Sequence, residues 1–248
     1  MKSQNHSVPD RHCRSAFTLV ELLVSITMII VLAALVFMMV RKSIDSAKTA
    51  TSLSNLHQLH TGVMSFAAEN NMNLPVNYFS SSDLPKGSVY PRDRVWYNSI
   101  CKMLYPSIYE KASVSEPWPW GKNADGYLNT VLISPNAEKG HGKTPSSYGY
   151  NVRFDNKNAP YTYSSRYDAA RTCMFADNSG KTHTLAPRGE TDNASINARN
   201  GASGPFKRDG KAAVIYLDGH AETITGHRAK QLNGKADDPF WGVEPPST

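Results

Sequence analysis

The chain has 248 residues, a net charge of +6 and 40% hydrophobic residues. That length allows one or two domains and a real core. The positive charges are scattered, with no run of five or six, which excludes a nucleic-acid stripe. No C-x-x-C pair, G-x-S-x-G, H-E-x-x-H, P-loop or dinucleotide fingerprint occurs, so the sequence supports neither zinc nor nucleophilic catalysis, and the expectation is a non-enzyme without a cofactor.

Residues 1–16 are short and polar, and Lys2, Arg11 and Arg14 against Asp10 supply +2 of the net charge, leaving +4 for the rest. Residues 17–40 read FTLVELLVSITMIIVLAALVFMMV. At ~1.5 Å rise per residue this stretch is long enough to cross a ~30 Å hydrocarbon core as a helix. It holds one expensive residue, Glu21. A carboxylate in a membrane helix costs roughly 2.5–3.5 kcal/mol on insertion scales and marks function by default, unless it lies at the membrane edge and reaches headgroup water. The apolar segment exceeds an ordinary signal core, and no A-x-A site follows it. Lys2, Arg11 and Arg14 before the helix are balanced by Arg41, Lys42 and Lys48 after it, so charge alone leaves the orientation open.

Residues 41–70 continue the helix as an amphipathic segment. Ile44, Ala47, Leu53, Leu56, Leu59, Val63 and Phe66 recur at steps of three and four, and Asp45, Lys48, Asn55, Gln58 and Glu69 fill the other face. Gly62 is an internal cost of roughly 1 kcal/mol. Asn70, Asn71 and Pro75 end the run. The two segments together predict one helix of about 54 residues, roughly 80 Å long. His57 and His60 are neighbours on it, without a third metal ligand nearby in sequence.

Residues 71–248 are expected to form a single globular head. Trp96, Trp118 and Trp120 either make a sugar-stacking surface or pin long loops to the core, and a short helix is expected near residues 96–105. Val131-Leu132-Ile133 reads as a short strand ending at Pro135, Ser146 to Asn151 as a second extended run and Arg171 to Ala176 as a buried strand, with a turn at residues 177–180 and a long polar loop over 182–205. Residues 212–217 and 221–225 flank Asp218-Gly219, the dipeptide that a tight two-residue hairpin turn prefers because both central residues need positive φ. Asp218, His220 and Glu222 share one face by spacing, but Asp218 belongs to the turn. Phe240 and Trp241 return near the end to pack on the head. Of three cysteines, Cys13 lies in the leader; Cys101 and Cys173 either form a bridge or stay as two buried thiols.

Ala16-Phe17-Thr18-Leu19-Val20-Glu21-Leu22-Leu23, behind a basic leader and before an uninterrupted apolar helix, resembles the processing site of type IV prepilins and type II secretion pseudopilins. The family usually has Gly before the cut, where this chain has Ala16. The string YLDGHAETI resembles a C-terminal signature of pseudopilin-like proteins, in which a His and nine residues precede the Asp-Gly; here that position is Arg208. The calcium loop of major pseudopilins, with its closely spaced Asp residues, has no counterpart. The resemblance implies an α+β fold, with a long N-terminal helix packed on a small antiparallel sheet. It implies cleavage by prepilin peptidase between Ala16 and Phe17, N-methylation of Phe17, and Glu21 as the assembly residue. Other pilin or pseudopilin subunits, an inner-membrane assembly platform and membrane lipid would be the partners. The leader would be cytoplasmic and the head periplasmic. A membrane-anchored minor pilin that binds a carbohydrate or an exported substrate is the alternative. An anchored hydrolase would instead need Asp177, Asp218 or His220 in one pocket.

Overall fold

The computed structural model describes residues 18–75, 96–107, 130–135, 147–154, 167–178, 184–187, 196 and 210–242. The chain divides into two compact units, with the boundary between Ser43 and Ile44.

The first unit holds the start of α1 (Leu19–Glu69), a 51-residue helix. Its large side chains from Leu19 to Val40 are exposed on every side of the helix. It is the one helix among the described residues long and apolar enough to cross a membrane. A helix that is apolar all round needs a membrane or the interior of an assembly to cover it.

In the second unit, α1 becomes amphipathic. Ser52, Leu56, Leu59, Gly62, Val63 and Ala67 are its buried residues, a stripe at helical spacing. Gly62 lets a second helix, α2 (Trp96–Leu104), come close: a Cβ there would lie 3.0 Å from Ile100 Cγ2 and 3.3 Å from Leu104 Cδ1. The helix-propensity cost of this glycine is therefore a packing requirement. The helix stops through a backbone device, since Met72 N–H donates to Ala67 O at 2.7 Å while Asn71 and Met72 take φ of 55° and 62°.

The sheet comprises β1 (Tyr148–Asn151), β2 (Cys173–Asp177), β3 (Thr184–Leu185), β4 (Lys211–Tyr216) and β5 (Ala221–Thr225), in the order β3-β1-β2-β4-β5. It is not wholly antiparallel. β3 lies across β1 from β2 and pairs with β1 in parallel, Tyr150 opposite Thr184. Tyr148, Tyr150, Phe175 and Ile215 pack with the α1 stripe and with Trp96 and Ile100. The other cluster gathers Ala176, Ala212, Val214 and Ile224 with α3 (Gly226–Asn233) and with Phe240 and Trp241, whose indole N–H donates to Leu232 O at 2.9 Å. The expected aromatic return is there. Asn233 clamps the backbone of Ile196 in both directions, at 3.1 and 3.0 Å.

Buried polar groups fix α1 on the sheet. Ser52 Oγ lies 3.0 Å from the Tyr148 hydroxyl and 3.4 Å from Asp177 Oδ1, while Asp177 Oδ2 accepts the Ala213 N–H at 2.9 Å. Asp177 thus ends β2 rather than opening a turn. Residues 179–180 of the turn expected over 177–180 lie outside the described residues, as does most of the loop expected over 182–205.

One expectation is corrected. Val131-Leu132-Ile133 is a buried turn, not a strand: Ile133 N–H donates back to Thr130 O at 3.2 Å and Val131 N–H to the Tyr105 hydroxyl at 3.1 Å, so neither of these two amides joins a ladder. Of the two arrangements left open for Cys101 and Cys173, the structure has the two separate buried thiols. A register shift between Cys173 and Phe175 sends Cys173 into the α3-side cluster, while Cys101 packs with α1. Burial raises both thiols, Cys101 to about 12, and suppresses the reactive thiolate.

Alkylation with and without denaturant, read by mass spectrometry, will find both thiols of the unreduced protein reactive only after unfolding; a species that needs reductant would contradict the packing. Asp177→Ala strands the Ala213 N–H and lowers stability by about 1–3 kcal/mol, read as a fall in melting temperature of the full chain in detergent.

Candidate functional site

Thr18 and Glu21 begin α1 as a reciprocal pair. Thr18 N–H and Thr18 Oγ1 both donate to Glu21 Oε2, at 2.9 and 2.8 Å. In return the Glu21 N–H donates to Thr18 Oγ1 at 3.2 Å, and Leu22 N–H donates to Thr18 O at 3.2 Å. This is the capping box, in which two otherwise orphan amides are satisfied by two side chains. A carboxylate in the first turn also faces the positive end of the helix dipole. Glu21 is therefore not a bare charge in an apolar run. The T-x-x-E spacing before that run was the signal for Thr18, and weighing Glu21 alone missed it.

The remaining hydroxyls of the apolar segment are spent on their own helix. Ser25 donates to Glu21 O at 2.7 Å and Thr27 to Val24 O at 2.8 Å. Such back-bonding leaves neither hydroxyl donor unpaired on the apolar surface. The segment thus offers a neighbour an apolar cylinder with one carboxylate at its start. Ala16 and Phe17, the expected cleavage and methylation residues, lie outside the described residues.

The hairpin differs in detail from the expected two-residue turn. Tyr216 O accepts the Gly219 N–H at 3.0 Å and His220 O accepts the Tyr216 N–H at 2.9 Å. Of Asp218 and Gly219, only Gly219 has positive φ, at 91°. The loop is three residues, 217–219, with the glycine alone in the left-handed region. Asp218 serves the loop through its side chain, accepting the His220 N–H at 3.0 Å and lying 2.6 Å from His220 Nδ1. Partial desolvation would raise the Asp218 carboxyl, but the hydrogen bonds and charge of His220 outweigh it and hold it below the usual carboxylate range.

The other head candidates separate into structural groups. His60 Nε2 donates to Leu217 O at 3.1 Å, which ties α1 to the hairpin loop. Glu222 accepts the Tyr216 hydroxyl at 2.6 Å, and the Tyr216 ring stacks on His220 with centroids 4.1 Å apart. Asp177 belongs to the Ser52 and Ala213 group, not to Asp218 and His220. Among the described residues no three His, Cys, Asp or Glu side chains are grouped to hold a metal. Trp96 is fully buried against Tyr97, Tyr150 and Phe175, so it contributes no open ring to a sugar shelf. Trp118 and Trp120 lie outside the described residues.

A Cβ at position 219 would meet His60 Cε1 at 2.9 Å, on top of the roughly 1–2 kcal/mol that left-handed backbone costs an L-residue. Gly219→Ala will therefore lower stability by about 2 kcal/mol, and the loss will shrink when His60→Ala removes the clash; a cycle of melting curves checks this. Thr18→Val removes the box, worth about 1 kcal/mol. It will speed amide exchange at residues 20–22 of the full chain in micelles about fivefold, whereas Thr18→Ser will not.

No curated protein and no solved structure is similar enough to match the chain. Residues 11–37 match the family model of the prokaryotic N-terminal methylation motif, a span that includes the Thr18–Glu21 box and most of the apolar segment. The chain thus carries the N-terminal motif of type IV pilin-like and pseudopilin-like prepilins.

Proposed function

We propose that the chain is a structural filament subunit, a pseudopilin of a type II secretion pseudopilus or a subunit of a type IV pilus-like fibre. One observation carries this reading: the matched motif covers the start of α1, where the apolar side chains are exposed on every face and the one carboxylate, Glu21, stands in the first turn. The motif points to a structural protein, itself processed by a peptidase and assembled with other subunits.

Before processing, the apolar segment anchors the precursor in the inner membrane as a single pass, with the leader in the cytoplasm and the head in the periplasm. Prepilin peptidase hydrolyses the Ala16–Phe17 peptide bond, and Ala16 is small enough to stand where the family usually has glycine. The new amine of Phe17, once methylated, is a cation that cannot stay unpaired in an apolar bundle. Glu21 of an incoming subunit answers the amine of a neighbour, and such a pair sets register more than net stability. Residues 22–40 then pack helix on helix in a heterologous arrangement that grows without closing.

Glu21→Val separates assembly from insertion, because it removes a charge that costs roughly 2.5–3.5 kcal/mol in the bilayer. The variant will insert and lose its leader like the parent, yet leave no sedimentable filament when cells are sheared. Wild-type filament yield from Glu21→Val would overturn the role of the carboxylate.

A further inference from the structure

The change from apolar to polar surface on α1 falls between Val40 and Arg41, and the side chain of Arg41 makes a choice there. In sequence an aromatic ring, Phe37, lies one turn back and a carboxylate, Asp45, one turn ahead. Its guanidinium carbon lies over the Phe37 ring, 4.3 Å from the centroid. Among the described residues the ion pairs are His220–Asp218 and Arg228–Asp238, so neither Arg41 nor Lys42 is paired with a carboxylate there. Both are exposed. Contact with a ring face engages none of the guanidinium's N–H donors in a conventional hydrogen bond.

The length of the apolar run gives this choice a meaning. The apolar part of α1, Leu19 to Val40, makes a helix of roughly 33 Å, slightly longer than a ~30 Å hydrocarbon core. With Glu21 at one surface of that core, the turn that begins at Phe37 would reach the headgroup level of the other. A long cationic side chain at that depth is expected to run along apolar surface and present its charge at the interface. By folding back on Phe37, Arg41 keeps its fork at the level of the lipid phosphates rather than one turn further out. The fork matches a phosphate in two hydrogen bonds, and Lys42 beside it adds a point charge.

We propose that Phe37, Arg41 and Lys42 form a clamp for the phosphate of an anionic phospholipid headgroup, which sets the depth of the subunit in the membrane before assembly. The inference rests on the membrane-anchored reading above. Extraction into a filament would have to release this lipid, so the clamp bears on when the subunit leaves the bilayer.

The test uses the full chain in phosphatidylcholine vesicles with and without phosphatidylglycerol. Solid-state NMR measures dephasing of the arginine ζ-carbons by lipid phosphorus, and the difference from Arg41→Gln assigns the Arg41 signal. Hydrogen exchange on the same samples reports whether residues 19–40 are inserted. The expected result is phosphorus dephasing at Arg41 that grows with phosphatidylglycerol. Phosphatidylglycerol should also be enriched severalfold over the bulk ratio in lipid co-purified with the parent, and fall to the bulk ratio in the Arg41→Gln, Lys42→Gln variant. Melting of the head should be unchanged in that variant. Protected residues 19–40 without phosphorus contact would overturn the clamp and leave the anchor intact. Unprotected residues 19–40 would overturn the anchor itself.

Discussion

From Leu19 to Val40 the chain makes a helix with apolar side chains on all sides, and nothing among the described residues packs on it. An uncovered surface of that kind is unfavourable in water, at roughly 25 cal/mol for each Å². Other features of the N-terminus follow from that constraint. The hydroxyls of Ser25 and Thr27 bond to their own backbone, and the Glu21 carboxylate is held by Thr18. Each polar group is satisfied locally, so the segment can enter a lipid phase without dragging unpaired donors with it. Glu21 remains the group on this surface that can be offered to a cation from elsewhere.

The second half of the same helix solves a different problem. Its apolar residues narrow to the stripe of Leu56, Leu59, Val63 and Ala67, and a folded head covers them. Apolar contact alone would let a helix slide along a sheet. The Ser52, Tyr148 and Asp177 group resists sliding, because a shift would leave buried polar atoms unpaired. His60 adds a second tie at the hairpin loop, and Gly62 lets α2 close over the helix. One continuous helix thus passes from a half that is apolar and exposed on every side to a half covered by its own sheet, and the change is written in the width of its apolar surface.

Much of this was legible in the sequence because it depends on local periodicity. The continuous helix, α2, the buried strand around Phe175, the β4–β5 hairpin and the return of Phe240 and Trp241 all follow from spacing and turn residues. What was not legible depends on distant partners. Val131-Leu132-Ile133 has the composition of a strand, but a strand needs a neighbour, and Tyr105 and Thr130 take the amides of Val131 and Ile133 instead. The two residues of β3 lie in a polar stretch with no alternation to announce them. The register shift in β2 moved Cys173 to the other cluster, and period-two reasoning cannot see such a shift. At the site, Glu21 was evident as a charge out of place. Its partner Thr18 was equally visible in the T-x-x-E spacing, but only to a reading that asked where the first amides of the helix find acceptors.

The central claim is that this chain is a processed subunit whose helix becomes N-terminal at Phe17. The most direct measurement is the N-terminal residue and intact mass of the mature protein, from cells with and without an active prepilin peptidase. The account predicts N-methylated Phe17 when the peptidase is active and an intact leader from Met1 when it is not. An intact leader in both strains would contradict it.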